Sequence, residues 1–210
     1  MNNSILELFN NSEIIKKIQR KLPKLFQIAE LESQRAGRVG MEVGSVREKI
    51  IVSLLIYKFG EKNVETEIPI TEPEVDVKLF GNPISIKTKS GNSFSGVKIS
   101  WTVDAQNAVE FQNKYIPSCD MIFVQVNWGN SGGLFYFPKN VQVEVFNLLG
   151  KENYIKLPSL GTNPRGVEIT SKALQTLVSH KNSYCIKIDW RKEEVLFNAF
   201  KRWIDLWAQE

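Results

Sequence analysis

Glu48, Asp76 and Lys87 are residue types that could together hydrolyse a phosphodiester. The richest stretch runs Pro73-Glu-Val-Asp76-Val-Lys-Leu-Phe80-Gly-Asn-Pro83-Ile-Ser85-Ile-Lys87. Side chains alternate along a strand, so Ser85 and Lys87 share one face. If the loop between the two halves has an even number of residues, pairing Phe80 with Pro83 or Leu79 with Ile84 sets Asp76 opposite Lys87. That is within cross-strand reach. Pro83 has no amide hydrogen and argues against a tight two-residue turn at Gly81-Asn82-Pro83. Glu48, from a preceding helix, would bring a second carboxylate to the same face. Such a set suits Mg²⁺, which takes oxygen ligands, keeps several waters and needs only one or two carboxylates beside substrate phosphate. The metal lowers the pKa of its water and offsets charge in the transition state. Lysine can orient or deprotonate the attacking water, or stabilise developing negative charge. Residue types alone do not choose between these roles. They also leave open a salt-bridged sheet surface, which is commonplace.

The elements that must position these residues are legible from periodicity. Ile5, Leu6, Phe9, Ile14, Ile15, Ile18 and Leu22, then Leu25, Phe26, Ile28 and Leu31, predict helices separated at Pro23. A glycine-rich loop spans 37–44. Ser45 as N-cap with Glu48 three residues later forms a capping-box pattern, and the helix it opens ends at Gly60. From Val64 the period becomes two, predicting strands over 64–70, 75–80 and 84–88. A helix over 103–115, strands over 121–127 and 134–137, and a helix near 141–149 follow. After a loop at 161–166 come a helix near 171–179, a strand over 184–188 and a C-terminal helix. Val195, Phe197, Phe200, Trp203, Ile204 and Trp207 give that last helix an aromatic stripe, the mark of core or subunit contact rather than of a ligand box. The class is α/β, with helices around a mixed central β-sheet.

Composition narrows the chemistry. The chain has 210 residues, 42% hydrophobic and 24% charged, the length and balance of one globular domain. No apolar run approaches the roughly 18 residues of a membrane span, and no basic segment precedes an apolar one at the N-terminus, so a cytoplasmic protein is expected. Cys119, Cys185 and His180 cannot supply a four-ligand zinc site of nitrogen and sulfur. A single histidine excludes nuclease chemistries that need two. His180 closes a helix-like stretch, where a cation suits the helix dipole, so a structural role is expected of it. A net charge of +4 and a pI near 9.0 permit a nucleic-acid partner.

The order of Glu48 on a helix, Asp76 after Pro73-Glu-Val, a hairpin, Ser85-Ile86-Lys87 and a further helix resembles the PD-(D/E)xK nuclease superfamily, particularly type II restriction endonucleases. The resemblance spans residues 44–127. It implies a restriction-endonuclease-like fold and Mg²⁺-dependent cleavage of double-stranded DNA at a short palindrome by a homodimer. Asp76 would be the principal metal ligand, Lys87 the catalytic lysine and Glu48 the helix-borne acid. Ser85 stands in the catalytic motif where Asp or Glu is usual. Asp104, with Glu74 behind it, is the candidate for a relocated acid. The whole chain also resembles the ThaI-type enzymes that cut CGCG. On this reading residues 1–210 are one nuclease domain, with an N-terminal helical part (1–36), a catalytic core (44–127) and a C-terminal part (128–210) for recognition or dimerisation.

DNA contacts are expected from three loops. Arg35, Arg38 and Met41 precede the acid-bearing helix, where arginine suits phosphate or base edges and methionine an apolar wedge; a surface linker is the alternative. Lys89, Ser93 and Lys98 follow the catalytic strand and could hold phosphate, or form a solvated turn. Asn163 and Arg165 suit adenine and guanine edges, or a plain turn. A Holliday-junction or repair nuclease, or a non-catalytic DNA-binding module, would share the fold.

Overall fold

Asn11, not Pro23, divides the N-terminal helices. The computed structural model describes residues 4–35, 38–40, 42–69, 72, 74–100, 104–159 and 166–209. It opens with a 3-10 turn (Ser4–Leu6), α1 (Glu7–Asn10) and the long α2 (Ser12–Glu32). Asn11 is extended, and its side-chain oxygen accepts from the Glu13 and Ile14 amides, which a helix start leaves unpaired. Pro23 sits buried inside α2. An interior proline costs about 3 kcal/mol, which burial of Ile18, Leu22 and Phe26 on the same helix offsets at roughly 1.5–3 kcal/mol each.

A small ribbon of β1 (Gln34–Arg35) and β2 (Arg38–Val39) then leads into α3 (Val43–Phe59). This helix starts before Ser45 with no side-chain cap, so Ser45 and Glu48 do not form the expected capping box. It ends at Gly60, whose φ of 85° suits glycine. A 3-10 turn (Glu61–Asn63) precedes β3 (Val64–Glu65), β4 (Val77–Leu79) and β5 (Asn82–Ser90). The strand expected over 64–70 keeps only its first two residues.

The turn between β4 and β5 is tight, contrary to expectation. Leu79 pairs with Asn82, leaving only Phe80 and Gly81 between them, at φ 51° and 77°. Such primed geometry matches the twist of a hairpin. Pro83 faces Lys78, at a non-hydrogen-bonded position that asks no amide of it.

The chain continues through β6 (Val97–Ser100), α4 (Ala105–Lys114), β7 (Asp120–Val126) and β8 (Ser131–Phe137). Then come α5 (Lys139–Leu149), α6 (Lys151–Tyr154), β9 (Ile155–Lys156), β10 (Val167–Ile169), α7 (Ser171–Ser179), β11 (Tyr184–Asp189) and α8 (Lys201–Trp207). Six strands form the central sheet in the order β11-β8-β7-β5-β4-β3. Among the described strands of this sheet only β5 and β7 run parallel, so the sheet is mixed, as expected. Ile84, Ile86, Ile122 and Val124 face α2 and α3. Met121, Phe123, Phe135 and Phe137 on the other face pack with α5, α7 and the three-stranded sheet β6-β10-β9.

Trp190 is the last core residue. A Cβ at Gly132 would meet its Nε1 at 2.7 Å, so only glycine lets the indole lie there. Beyond it the expected C-terminal helix is reduced to α8, in which no residue is buried. The aromatic stripe is therefore not core.

Candidate active site

Asp76 lies just before β4, where that strand parts from β5. Its own amide donates to the Ile84 carbonyl at 3.0 Å. Further along β5 its carboxylate takes over from the missing strand: Oδ2 accepts from the Ile86 amide at 2.6 Å, the Ser85 hydroxyl at 3.2 Å and the Lys87 ammonium at 3.1 Å. The even loop holds, so Asp76, Ser85 and Lys87 share a face. The register differs by two residues from that expected. With Val77 opposite Ile84, Asp76 falls beside Ser85, and the long Lys87 side chain reaches it diagonally. On the other side β7 runs parallel, with Ser85 beside Met121 and Lys87 beside Phe123, so the apolar second core backs the strand.

Glu48 approaches from α3 and is half-buried. Burial, then the Asp76 charge, push its carboxyl up to about 7, with Lys87 pulling it partly back. Once Glu48 gives up its proton, two carboxylates face one ammonium and leave an excess negative charge. The second oxygen of Asp76 accepts no hydrogen bond within the described residues. Hard oxygen donors with surplus negative charge fit a divalent cation. No group of three or more His, Cys, Asp or Glu gathers around a metal position among the described residues. Among the described side chains, the acids beside Lys87 are Asp76 and Glu48.

The other predicted acids are placed elsewhere. Asp104 is exposed and caps α4, accepting from the Gln106 amide at 2.7 Å, and the structure does not group it with Glu48 and Asp76. Glu74 accepts from the Tyr115 hydroxyl at 2.7 Å and the Ser118 hydroxyl at 2.5 Å. Burial raises the Cys119 thiol to about 12, with Glu74 adding to the effect.

Of the expected DNA contacts, Arg38 is exposed on β2, and Ser93 is exposed with its hydroxyl 3.2 Å from that of Ser95. Lys89 is half-buried, its ammonium close to Gly96. Lys98 pairs with Glu168 at 3.5 Å, a carboxylate that also meets Lys156 at 3.6 Å. Met41, Asn163, Arg165 and the Arg35 side chain lie outside the described residues. His180 ends α7, 3.5 Å from Glu144, in the structural place expected of it.

Sequence reasoning missed one buried network. Glu30 on α2 accepts from Arg47 at 2.6 Å and from the Trp128 indole at 2.7 Å, and meets Lys192 at 3.2 Å. Arg47 also donates to Ser90 at the end of β5, at 2.9 Å. The clamp thus fixes α3, and Glu48 with it, against β5. A signal existed: Glu30 continues the buried row Ile18, Leu22, Phe26, and Arg47 begins the row Ile51, Leu55. A charge in an apolar row needs a partner.

The fold that brings these groups together is also that of a solved enzyme. A protein solved as a restriction endonuclease in complex with substrate DNA superposes on this structure with a TM-score of 0.92. Sequence identity is 58%, over 98% of this chain and 99% of that one. The fold is that of a restriction endonuclease, and such an enzyme is a site-specific deoxyribonuclease. Residues 8–209 match the family of the restriction endonuclease ThaI, and the chain belongs to that family. No curated protein matches it. Restriction endonucleases generally use divalent metal ions, and no helix among the described residues is long and apolar enough to cross a membrane.

Proposed function

We propose that the chain is a Mg²⁺-dependent type II restriction endonuclease that cuts double-stranded DNA at a short palindrome as a homodimer in the cytoplasm. The observation that carries this reading is the Lys87 ammonium 3.1 Å from an Asp76 carboxylate, with Glu48 held half-buried beside both. Asp76 and Glu48 would hold Mg²⁺, which supplies Lewis acidity to the phosphate and acidifies bound water.

The chain's own groups do the rest. The Ile86 amide and the Ser85 hydroxyl fix Oδ2 of Asp76, leaving its other oxygen for the metal. Ser85 is thus a positioning residue; buried and neutral, it is not a ligand. Lys87, held 3.1 Å from Asp76, orients the attacking water or meets charge on the phosphate. Asp104, serving α4, is not needed in the metal set. Arg35, Arg38 and Met41 contact the groove ahead of α3, Lys89, Ser93 and Lys98 hold phosphate, and Asn163 and Arg165 read base edges. Two-fold symmetry of the protein matches that of the palindrome.

The test is digestion of an unmethylated plasmid carrying CGCG sites with Mg²⁺, beside EDTA and Asp76→Asn controls. Discrete fragments with Mg²⁺ alone, absent in both controls, are expected. An intact plasmid together with cleaved four-way junctions would move the reading to a junction nuclease.

A further inference from the structure

We propose that the C-terminal arm docks on a second copy of this chain, with α8 seated in the apolar groove between that copy's α2 and α3. Two unmatched surfaces carry the inference. On α8 and its N-cap, Phe200, Trp203, Ile204 and Trp207 recur at i, i+3, i+4 and i+7, the anchor spacing of a helix that binds in a groove. These anchors are bare: Phe200 is 70% exposed and Trp207 89%. Lys201 and Asp205 pair at 2.8 Å on the polar side, so the helix is two-faced.

The groove lies on the other helices. Ile18, Leu22 and Leu25 of α2 with Ile50, Leu54 and Tyr57 of α3 enclose about 320 Å³. A cavity of about 150 Å³ takes one benzene ring, so there is room for two large side chains. Lys17 and Lys21 line it as well. Lys17 donates to the Tyr57 hydroxyl and lies 4.6 Å from the centre of its ring, so one wall is apolar but cationic.

Size also favours a second copy. The exposed apolar side chains of the arm amount to on the order of 700 Å², near the roughly 800 Å² each partner buries in a standard interface. Reciprocal exchange adds the groove on each partner. A monomer seldom leaves so large an apolar patch uncovered. The assignment rests on the homodimer of the proposed function, but its test reads mass and linkage rather than cleavage.

Sedimentation equilibrium of the full chain should give twice 24.0 kDa. Trp203→Ser with Trp207→Ser, and separately Leu25→Glu in the groove, should each return the mass of one chain with an unchanged circular dichroism spectrum. In a Cys185→Ser background, mixing Leu25→Cys chains with Trp207→Cys chains should give a disulfide-linked pair on a non-reducing gel. A dimer that survives both sets of substitutions overturns the arm assignment and leaves the homodimer standing. A wild-type chain of single mass overturns both. A disulfide within one chain carrying both cysteines, with none between mixed chains, places the arm on its own groove and also overturns the proposal.

Discussion

Arg47 and Glu48 are neighbours on α3, yet they serve two opposite kinds of carboxylate centre. Arg47 turns to Glu30, whose charge meets Arg47 at 2.6 Å, Lys192 at 3.2 Å and an indole N–H at 2.7 Å. There cations outnumber the acid, and the centre is closed. Glu48 turns to Asp76, where one lysine answers two acids and the Glu48 carboxyl is pushed up to about 7. That centre is short of positive charge. A carboxylate supplied with the protein's own cations holds elements together. One left in deficit suits the cation and phosphate of the proposed function.

Substitutions at either centre should show the contrast. The largest effect is expected at Asp76→Asn, which removes a charge from the deficient centre while keeping an acceptor for Ile86. Cleavage should fall on the order of 10⁴-fold, about 5.5 kcal/mol of barrier, with little change in denaturant midpoint. Arg47→Ala should do the reverse first. Leaving Glu30 buried without its main partner should cost about 3–5 kcal/mol in urea unfolding. The double variant Glu30→Leu, Arg47→Met should recover most of that loss, and a failure to recover would mean that the ions themselves specify the packing.

Next in size is a pH effect. The Glu48 carboxyl is raised from 4.5 to about 7 in the folded chain, so between those values the folded state holds more proton than the unfolded. Stability of the metal-free protein should therefore fall as pH rises through this window. Divalent metal should restore it above pH 7, and Glu48→Gln should flatten the profile. A wild-type profile that stays flat would mean that neither burial nor the Asp76 charge disfavours the ionised Glu48. Lys192→Ala should matter least, by less than about 1 kcal/mol, because its side chain is 54% exposed and Arg47 remains.

The Asp76–Lys87 pair was legible because strand alternation and an even turn suffice to put both on one face. The register was not. Pro83 looked like a barrier to a tight turn, but whether a missing amide matters depends on which pairs carry hydrogen bonds, and only the closed ladder settles that. Ser45 and Glu48 have the spacing of a cap, yet Glu48 is drawn into the site and the helix starts earlier. Pro23 looked like a break because local preference favours one, while the burial that offsets it comes from a distant sheet. The Arg47–Glu30 clamp joins α2 to α3 across a fold whose packing no local pattern announces.

Trp190, pinned over Gly132, fixes where the chain leaves the body, and Gln27 ties it again by donating to the Glu193 carbonyl at 2.7 Å. Only residues 194–199 separate that anchor from Phe200, a tether of about 20 Å at full stretch. So short a tether holds its free end at an effective concentration in the millimolar range once the first contact with a neighbour has formed. In the proposed symmetric pair the two arms would engage together, so assembly should rise steeply with protein concentration.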